Sequence, residues 1–409
     1  MAKKVDLPEP IIPNDSWKVV KLGQYVKILN GYPFDSSRFT NSNENTYPLI
    51  RIRDVVRGYT ETFTDEDCPD EYKIKKGEIL IGMDGDFNIS RWKSDFGLLN
   101  QRVCKISTVS KDLDEKFLFY YLPIPLKLIN DATPSVTVKH LSSTSLQELH
   151  FPLPTLAEQQ RIVKRIESMF AKLDEAKEKA QNVVDGFETR KAAILHKAFT
   201  GELTAKWRKE NGVSDDSWEE KTIGELFTHT TGKALKKDNQ IGTLRKYITT
   251  SNLYWGRFDF SEVREMYFTD GELEKCTAKK GDLLVCNGGD VGRSAIWDFD
   301  YDICLQNHVS KLRKKDNNIE TRLFFYYFML SKIKGNVTAK GIGISSLSQK
   351  DLLAMKINLP TLPEQQEIVR ILDSVLEKEN KAKQAAEAVL EQIDLLKKSI
   401  LARAFRGEL

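Results

Sequence analysis

Two short stretches of the chain carry side chains that could recognise the edges of DNA bases. They are the triplets Asn100-Gln101-Arg102 and Gln306-Asn307-His308, which stand 206 positions apart. Arginine can bind guanine through two hydrogen bonds, and the amides of asparagine and glutamine can do the same with adenine. The same amides could equally cap turns or hold a backbone loop in place. The spacing therefore predicts two related polar sites, with base recognition as one of the two roles open to them.

Further basic, amide and hydroxyl residues accompany both triplets and are candidate DNA contacts. In the first half of the chain they are Arg51, Arg53, Arg57, Asn88, Arg91, Lys139 and His140. In the second half they are Thr249, Ser251, Asn252, Asn287, Arg293, Lys340 and Ser345. The strand predicted at Ile50–Val55 aligns with that predicted at Ile248–Leu253. The two share the same strand position in the repeat but carry different polar side chains. For any one basic cluster, a solvated strand edge or turn explains the charges equally well.

Motifs of catalysis are missing from the sequence. There is no GxxxxGK[ST] phosphate loop, because Gly232-Lys233-Ala234 lacks the leading glycine and the hydroxyl residue. The stretch Pro69-Asp70-Glu71-Tyr72-Lys73 superficially resembles a nuclease motif, but its acidic residues abut in one loop, which favours an exposed turn. The five histidines show no ligand spacing, and the five cysteines form no CxxC pair. The sequence thus predicts neither a metal site nor a disulfide framework.

Composition and charge exclude several classes of protein. The 409 residues carry a formal net charge of +3, which argues against a uniformly basic nucleic-acid coat protein but allows local basic patches. The longest apolar stretch, Leu323–Leu330, is too short to span a bilayer, and the first residues lack the apolar core of an export signal. We therefore expect no membrane partner and a cytoplasmic location.

An internal repeat organises the chain. Leu-Pro-Thr-Leu-Ala-Glu-Gln-Gln at 153–160 recurs at 359–366 with seven of eight residues identical. Ala-Phe-Thr-Gly-Glu-Leu at 198–203 recurs at 404–409 with five of six identical, at the same offset of 206. Two such matches in one register indicate that a half-unit of about 200 residues is present twice.

Each repeat ends in a long stretch with apolar residues at alternating steps of four and three, which predicts coiled-coil packing. Arg190 interrupts this pattern in the first stretch, and Glu379 interrupts it in the second. A helix so long cannot bury its apolar stripe alone, so we expect the two to pack on each other. The end of the second helix corresponds to the point in the first repeat where the chain enters the second mixed region. A parallel pair would need a connection that runs back along the helices, so we favour an antiparallel pair.

The predicted fold class is α+β. Two mixed α/β domains, at residues 1–152 and 204–358, alternate with two long helices at 153–203 and 359–409. The helices form an antiparallel coiled coil that relates the halves by a pseudo-twofold internal repeat.

This organisation resembles the specificity subunit of type I restriction–modification enzymes. The doubled LPxLxEQQ and AFxGEL motifs carry the resemblance, which covers essentially the whole chain. It implies that each mixed region is a target recognition domain for one half of a split, asymmetric DNA sequence, with the helices as a spacer. It implies no catalytic activity for the chain itself.

The resemblance also implies partners. These are double-stranded DNA, two methyltransferase (modification) subunits and the restriction subunits. S-adenosylmethionine, ATP and Mg would then belong to those subunits, and this chain would bind no cofactor. The repeated residues at the helix starts are assigned to the spacer and to partner docking: Glu158, Gln159, Gln160, Glu364, Gln365 and Gln366.

Two other classes of protein stay open. One is a self-sufficient methyltransferase or nuclease, which would modify or cut DNA without partners. The other is a coiled-coil scaffold that does not bind DNA.

Overall fold

The computed structural model describes residues 7–8, 17–133, 139–235, 240–337 and 347–409. Contacts divide the chain into two units. The first comprises residues 1–180 and 388–409, and the second comprises residues 181–387. Both long helical stretches contribute to both units. The limits predicted above for the four segments stay a prediction.

The first mixed region is built from short strands with five helices between and after them. Its strands are β1 (Lys18–Lys21), β2 (Val26–Asn30), β3 (Phe39–Thr40), β4 (Tyr47–Ile50), β5 (Phe63–Thr64), β6 (Lys73–Lys75), β7 (Ile79–Gly82), β8 (Ile89–Arg91), β9 (Phe96–Leu99), β10 (Val103–Thr108) and β11 (His150–Leu153). Its helices are α1 (Asp54–Arg57), α2 (Glu115–Tyr121), α3 (Pro123–Ala132), α4 (Ser143–Glu148) and α5 (Leu156–Asp185).

The second half repeats this plan. Its helices are α6 (Phe187–Phe199), α7 (Ala205–Asn211), α8 (Ile223–Leu226), α9 (Asp270–Cys276), α10 (Thr321–Ile333), α11 (Gln349–Leu353) and α12 (Leu362–Ala404). Its strands are β12 (Glu219–Thr222), β13 (Phe227–Thr231), β14 (Thr243–Ile248), β15 (Leu253–Tyr254), β16 (Arg257–Phe258), β17 (Arg264–Phe268), β18 (Thr277–Ala278), β19 (Leu283–Cys286), β20 (Ser294–Ile296), β21 (Ile303–Leu305), β22 (Val309–Lys314) and β23 (Lys356–Leu359).

Equivalent sheets occur in both halves. An antiparallel sheet of order β2-β10-β7-β8 corresponds to β13-β22-β19-β20. A second sheet, β3-β5-β4-β9-β6, corresponds to β17-β14-β21-β18, and each contains one parallel pair, β4 with β9 and β14 with β21. The small pairs β1-β11 and β12-β23 also match. The predicted α+β class and internal repeat are thereby confirmed.

Each unit has its main core between the antiparallel sheet and the helices. In the first unit, Phe117 of α2 packs against Ile162 of α5 and Phe405 beyond α12 as part of one buried cluster. In the second unit, Phe324 of α10 and Leu195 of α6 belong to the corresponding cluster. The apolar stripes of the long helices are thus buried against their own domains as well as against each other.

The long helices run antiparallel within each unit, as predicted. In the first unit, Arg161 at the start of α5 donates to the carbonyl oxygen of Leu409, whereas Asp174, farther along α5, pairs with Lys397. In the second unit, Arg190 of α6 pairs with Glu379 of α12. The sequence predicts one continuous first helix, but the structure interrupts it at Gly186, between α5 and α6. Gly186 itself adopts an ordinary right-handed conformation, with φ −78° and ψ −7°, so the break does not depend on the backbone freedom of a glycine.

Two predicted strands are shorter than expected. The strands that begin at Tyr47 and Thr243 end at Ile50 and Ile248, and the chain turns immediately afterwards. Asp54 and Asn252 cause these turns, since each accepts a hydrogen bond from the backbone N–H three residues earlier. The polar residues at 51–53 and 249–251 consequently lie in turns rather than along strands.

None of the helices among the described residues is long and apolar enough to cross a bilayer.

Candidate nucleic-acid interface

A parallel strand pair brings two of the predicted segments of the first domain together. Ile50 at the end of β4 pairs with Leu99 at the end of β9. Because parallel strands end at the same sheet edge, the turn at 51–53 lies beside the turn at 100–102. The strand register, which the sequence does not specify, thus joins residues about 50 positions apart.

Two more turns join this edge through backbone hydrogen bonds. The N–H of Met83, after β7, donates to the carbonyl oxygen of Arg102 at 2.8 Å, and the N–H of Leu141 donates to the carbonyl oxygen of Met83 at 2.7 Å. Together, the described residues 51–53, 83–88, 100–102 and 139–141 form what we call the first interface.

Charged groups dominate the first interface. The side chains of Arg51, Arg53 and Arg102 are exposed. Asp84 is the acidic centre: one of its carboxylate oxygens lies 2.6 Å from Nδ1 of His140 and 3.6 Å from Nη1 of Arg102. Since a carboxylate only accepts, Nδ1 of His140 carries the proton in this contact. Lys139 is less accessible, because its ammonium group donates to the backbone oxygen of Asn130 at 2.6 Å.

The second domain builds the equivalent surface in the same way. Ile248 at the end of β14 pairs in parallel with Leu305 at the end of β21, which places the turn at 249–252 beside the turn at 306–308. The N–H of Asn287 donates to the carbonyl oxygen of His308, and the N–H of Leu347 donates to that of Asn287. We call the described residues 249–252, 287–293, 306–308 and 347 the second interface.

Neutral polar groups prevail in the second interface. Thr249 Oγ1 lies 2.7 Å from Ser251 Oγ, and the imidazole of His308 is exposed. The guanidinium of Arg293 is turned inward: it donates to the carbonyl oxygen of Thr250 at 2.6 Å and lies over the ring of Tyr254. It therefore positions the neighbouring turn.

A half-buried histidine, His229, supports this interface from below. Nε2 of His229 lies 3.0 Å from Oγ of Ser310, which also accepts a hydrogen bond from the amide of Asn287. Burial lowers the pKa of His229, so its imidazole is neutral at pH 7. This keeps another positive charge out of the second interface.

Three of the predicted base-reading amides are buried. The side chain of Asn252 accepts from the N–H of Thr249 and donates to the carbonyl oxygens of Asp259 and Glu262. Gln306 accepts from the N–H of His308 and donates to the side chain of Asn307. Asn100 is 6% exposed, and its Oδ1 has no partner among the described residues. The amides of Asn252 and Gln306 therefore shape their turns, and base contact by these three residues stays a prediction.

The other predicted residues differ in their placement. Asn88, Gln101 and Ser251 are exposed on the two interfaces, and Asn307 is half-buried. Arg57 is exposed at the end of α1 and lies near Glu61. Arg91 lies elsewhere, because its guanidinium donates to Glu115 and to the carbonyl oxygen of Gly77. Lys340 and Ser345 are outside the described residues.

Two of the six predicted docking residues, Gln159 and Gln365, hold the helix starts in place. Gln159 accepts from the N–H of Asp114 and donates to the carbonyl oxygens of Asp112 and Pro154. Gln365 makes the same three contacts with Glu320, Asn318 and Pro360. Both are fully buried, so they are positioning residues and cannot contact a partner subunit directly.

The glutamates differ between the repeats. Glu364 is 0% exposed and accepts hydrogen bonds from Thr204, Arg208 and Trp218. Its equivalent, Glu158, is half-buried and pairs with Arg161 on the same helix. Gln160 and Gln366 are exposed, so docking at Glu158, Gln160 and Gln366 stays a prediction.

Asp84 is the residue of the first interface that the sequence analysis missed. Only the Asp-Gly turn signal marked its position, and the contacts with Arg102 and His140 come from segments 18 and 56 positions away. Over the part of the chain that is described, no group of three or more His, Cys, Asp or Glu side chains could hold a metal ion. The chemistry available at both interfaces is hydrogen bonding and charge pairing.

Comparison with known proteins agrees with this architecture. The family model described as type I restriction modification DNA specificity domain matches residues 14–184 and 215–392. The chain is 31% identical to the type I restriction enzyme EcoBI specificity subunit of Escherichia coli, covering 97% of this chain and 87% of that protein. It is 23% identical to the MjaVIII specificity subunit of Methanocaldococcus jannaschii, covering 97% and 94% of the two chains.

A solved structure has the same fold. The HsdS subunit from Thermoanaerobacter tengcongensis matches with a TM-score of 0.64 and 18% identity, covering 97% of this chain and 98% of that one.

Proposed function

This chain belongs to the family of type I restriction–modification DNA specificity proteins, and from this we propose that it binds a bipartite, asymmetric DNA target. Recognition of DNA sequence is the function that the family membership supports. In the proposal, each mixed domain reads one half-site, and the long helices set the number of unread base pairs between them.

One observation carries the proposal of two different half-sites. Four turns are joined by equivalent backbone hydrogen bonds in both domains, through Met83 and Arg102 in one and Asn287 and His308 in the other. The side chains on these shared backbones differ in chemistry, with exposed arginines in the first interface and hydroxyl groups, an imidazole and the exposed Asp290 in the second. Equal scaffolds with unequal donors and acceptors suit two unlike sequences.

We further propose that the chain docks two modification subunits and the restriction subunits. An internal repeat offers two equivalent surfaces, which supports two copies of one partner. The exposed Gln160 and Gln366 at the two helix starts are candidate contacts. The partners would bind S-adenosylmethionine, ATP and Mg, and this chain would contribute recognition without catalysis, inside the cytoplasm.

Methylation mapping tests the proposal. The chain would be co-expressed with its modification subunit in a host without other adenine methyltransferases, and methylated sites would be mapped across the genome. We expect one split, asymmetric motif, which disappears when either subunit is omitted. Methylation or cleavage by the purified chain alone would support a self-sufficient enzyme instead. Absence of methylation at any motif, with intact complex formation, would support a scaffold.

A further inference from the structure

We propose that Arg102 recognises a guanine in the half-site bound by the first domain, and that Asp84 is a positioning residue for its guanidinium. This assignment rests on the proposed function and deepens it, because it names one base and the side chain that reads it.

The backbone at Arg102 is the first observation. Its φ is 72°, in the left-handed region that glycine and asparagine tolerate and that other residues rarely adopt. The conformation is held from both sides, since the carbonyl oxygen of Arg102 accepts from Met83 while the N–H of Gln101 donates to Tyr32. A strained position that carries a long charged side chain is typical of a functional site.

The side chain at this position is exposed and oriented. Arg102 is 56% exposed, whereas Asp84 is only 18% exposed. The ion pair of the guanidinium with Asp84 uses Nη1, which lies 3.6 Å from the carboxylate. Within the described part of the chain, Nη2 and Nε of Arg102 make no hydrogen bond. Arginine needs two N–H groups to bind O6 and N7 of guanine together, and two nitrogens of this guanidinium are available for that purpose.

Asp84 restrains the guanidinium from the protein side. His140 donates to the Asp84 carboxylate at 2.6 Å, which fixes the carboxylate 3.6 Å from Nη1 of Arg102. A restrained donor loses less conformational freedom on binding than a mobile one. The low exposure of Asp84 makes it better placed to orient Arg102 than to contact a base itself.

In the second domain, the positions equivalent to Arg102 and Asp84 both carry different residues. The backbone equivalents of Arg102 and Asp84 are His308 and Gly288. A Cβ at Gly288 would lie 2.9 Å from Nδ1 of His308, so the imidazole occupies the space that an aspartate side chain would need. The two positions therefore vary together between the domains: a long cation with an acid, or an imidazole with a glycine. This is the pattern expected where a pair of residues sets specificity.

The test uses substitutions within the complete methyltransferase complex. The variants are Arg102→Lys, Arg102→His, Asp84→Asn and the double change Asp84→Gly with Arg102→His, which transplants the second domain's pair. The matched control is Arg38→His, because Arg38 is also an exposed arginine paired with an aspartate, Asp65. Asp65 follows Thr64, which pairs with Tyr47 at the start of β4, whereas Arg51 follows the end of this strand. The control pair therefore lies at the opposite end of β4 from the first interface. Methylation rates are measured on duplexes that carry every single-base change in the mapped target.

We expect each Arg102 variant to lose about 10- to 100-fold discrimination for guanine at one base pair of the first half-site. Discrimination at the second half-site stays unchanged, and Arg38→His keeps the whole motif. Asp84→Asn should weaken discrimination at the same base pair while the midpoint of thermal unfolding stays constant.

Several results would overturn the assignment. Unchanged discrimination in Arg102→His, or an equal loss on all sequences, would identify a phosphate contact instead. A change at a different base pair in Asp84→Asn would show that Asp84 itself contacts a base. A wild-type complex that methylated no split motif would contradict the proposed function itself, whatever the role of Arg102.

Discussion

Gln159 and Gln365 show how one buried side chain fixes a long helix to a domain. Each amide joins the turn before its helix to the turn that precedes a second helix, α2 in the first unit and α10 in the second. All three hydrogen bonds of each residue go to backbone groups at these ends. Structural roles therefore explain the first glutamine of the repeated Glu-Gln-Gln in both repeats, and its glutamate in the second repeat.

Substitution of either glutamine tests this role. Gln159→Ala and Gln365→Ala each remove three hydrogen bonds to partly or fully buried backbone groups, so we expect each to lower the free energy of unfolding by about 2 to 3 kcal/mol. The neighbouring exposed Gln160→Ala and Gln366→Ala are matched controls and should change it by less than about 0.5 kcal/mol. Urea denaturation of the full chain, followed by circular dichroism, measures both. Equal effects of buried and exposed changes would contradict the argument.

The cysteines provide a second test at the residue scale. All five are buried free thiols. Burial raises the pKa of Cys104 to about 12 and that of Cys286 to about 11, so both stay protonated well above neutral pH. At pH 8 we expect no fast reaction of the native chain with a thiol-specific chromophore, and five equivalents of reaction after denaturation. Rapid labelling of one equivalent in the native state would show that a cysteine is accessible.

At the scale of elements, the exceptions to the heptad pattern are paired with each other. Arg190 and Glu379 interrupt the apolar stripes of the first and second helical stretches, and Nε of Arg190 donates to Glu379 at 2.8 Å. Lys383 lies over the ring of Phe187 one turn away, which supports the same register. A polar pair among apolar positions fits only one alignment of two helices, so it favours this antiparallel register over shifted ones.

A double-mutant cycle measures that pair. Because Arg190 and Glu379 are 38% and 24% exposed, we expect a coupling free energy of about 1 kcal/mol between Arg190→Ala and Glu379→Ala. The exposed pair Glu377–Lys381 on the same helix is the control, with an expected coupling of about 0.3 kcal/mol. Thermal unfolding of the four variants of each cycle provides the values. A coupling free energy near zero between Arg190 and Glu379 would contradict the proposal that this pair sets the alignment of the two helices.

At the scale of the whole molecule, charge and length bear on how the chain would engage DNA. A formal net charge of +3 provides little general attraction to phosphates, so affinity for unrelated DNA should be low and the local charges of the interfaces should decide binding. The distance between half-sites would then depend on the helices, which rise 1.5 Å per residue.

Shortening both helices tests their proposed role as a spacer. Four residues would be removed from each, between Asp174 and Ala180 in α5 and between Ala388 and Lys397 in α12, a stretch where the helices pair. This removes about 6 Å of helix, so we expect the unread spacer to shorten by about one or two base pairs. Both half-site sequences should persist in the methylation motif. A changed half-site with an unchanged spacer would contradict the spacer role.

Local rules predicted much of this molecule and failed at identifiable places. The apolar stripes of the long helices follow from heptad spacing, and helix α2 begins at the capping residue Asp114. The turns after Ile50 and Ile248 were missed because a side-chain hydrogen bond from Asp54 or Asn252 overrides the strand-like pattern. The break at Gly186 was missed because the heptad spacing of apolar residues continues across it.

The sequence by itself determined the internal repeat, the α+β class and the two long helices, because these depend on residue identity and on periods of a few residues. It also marked most of the polar residues of both interfaces. Only the tertiary structure decided which of them act together, since the parallel pairing of β4 with β9 and of β14 with β21 brings distant turns to one edge. The same packing buried Asn100, Asn252, Gln306 and the two glutamines, and it brought Asp84 to Arg102. Burial and contact across long sequence separations depend on the whole chain, and no local pattern specifies them.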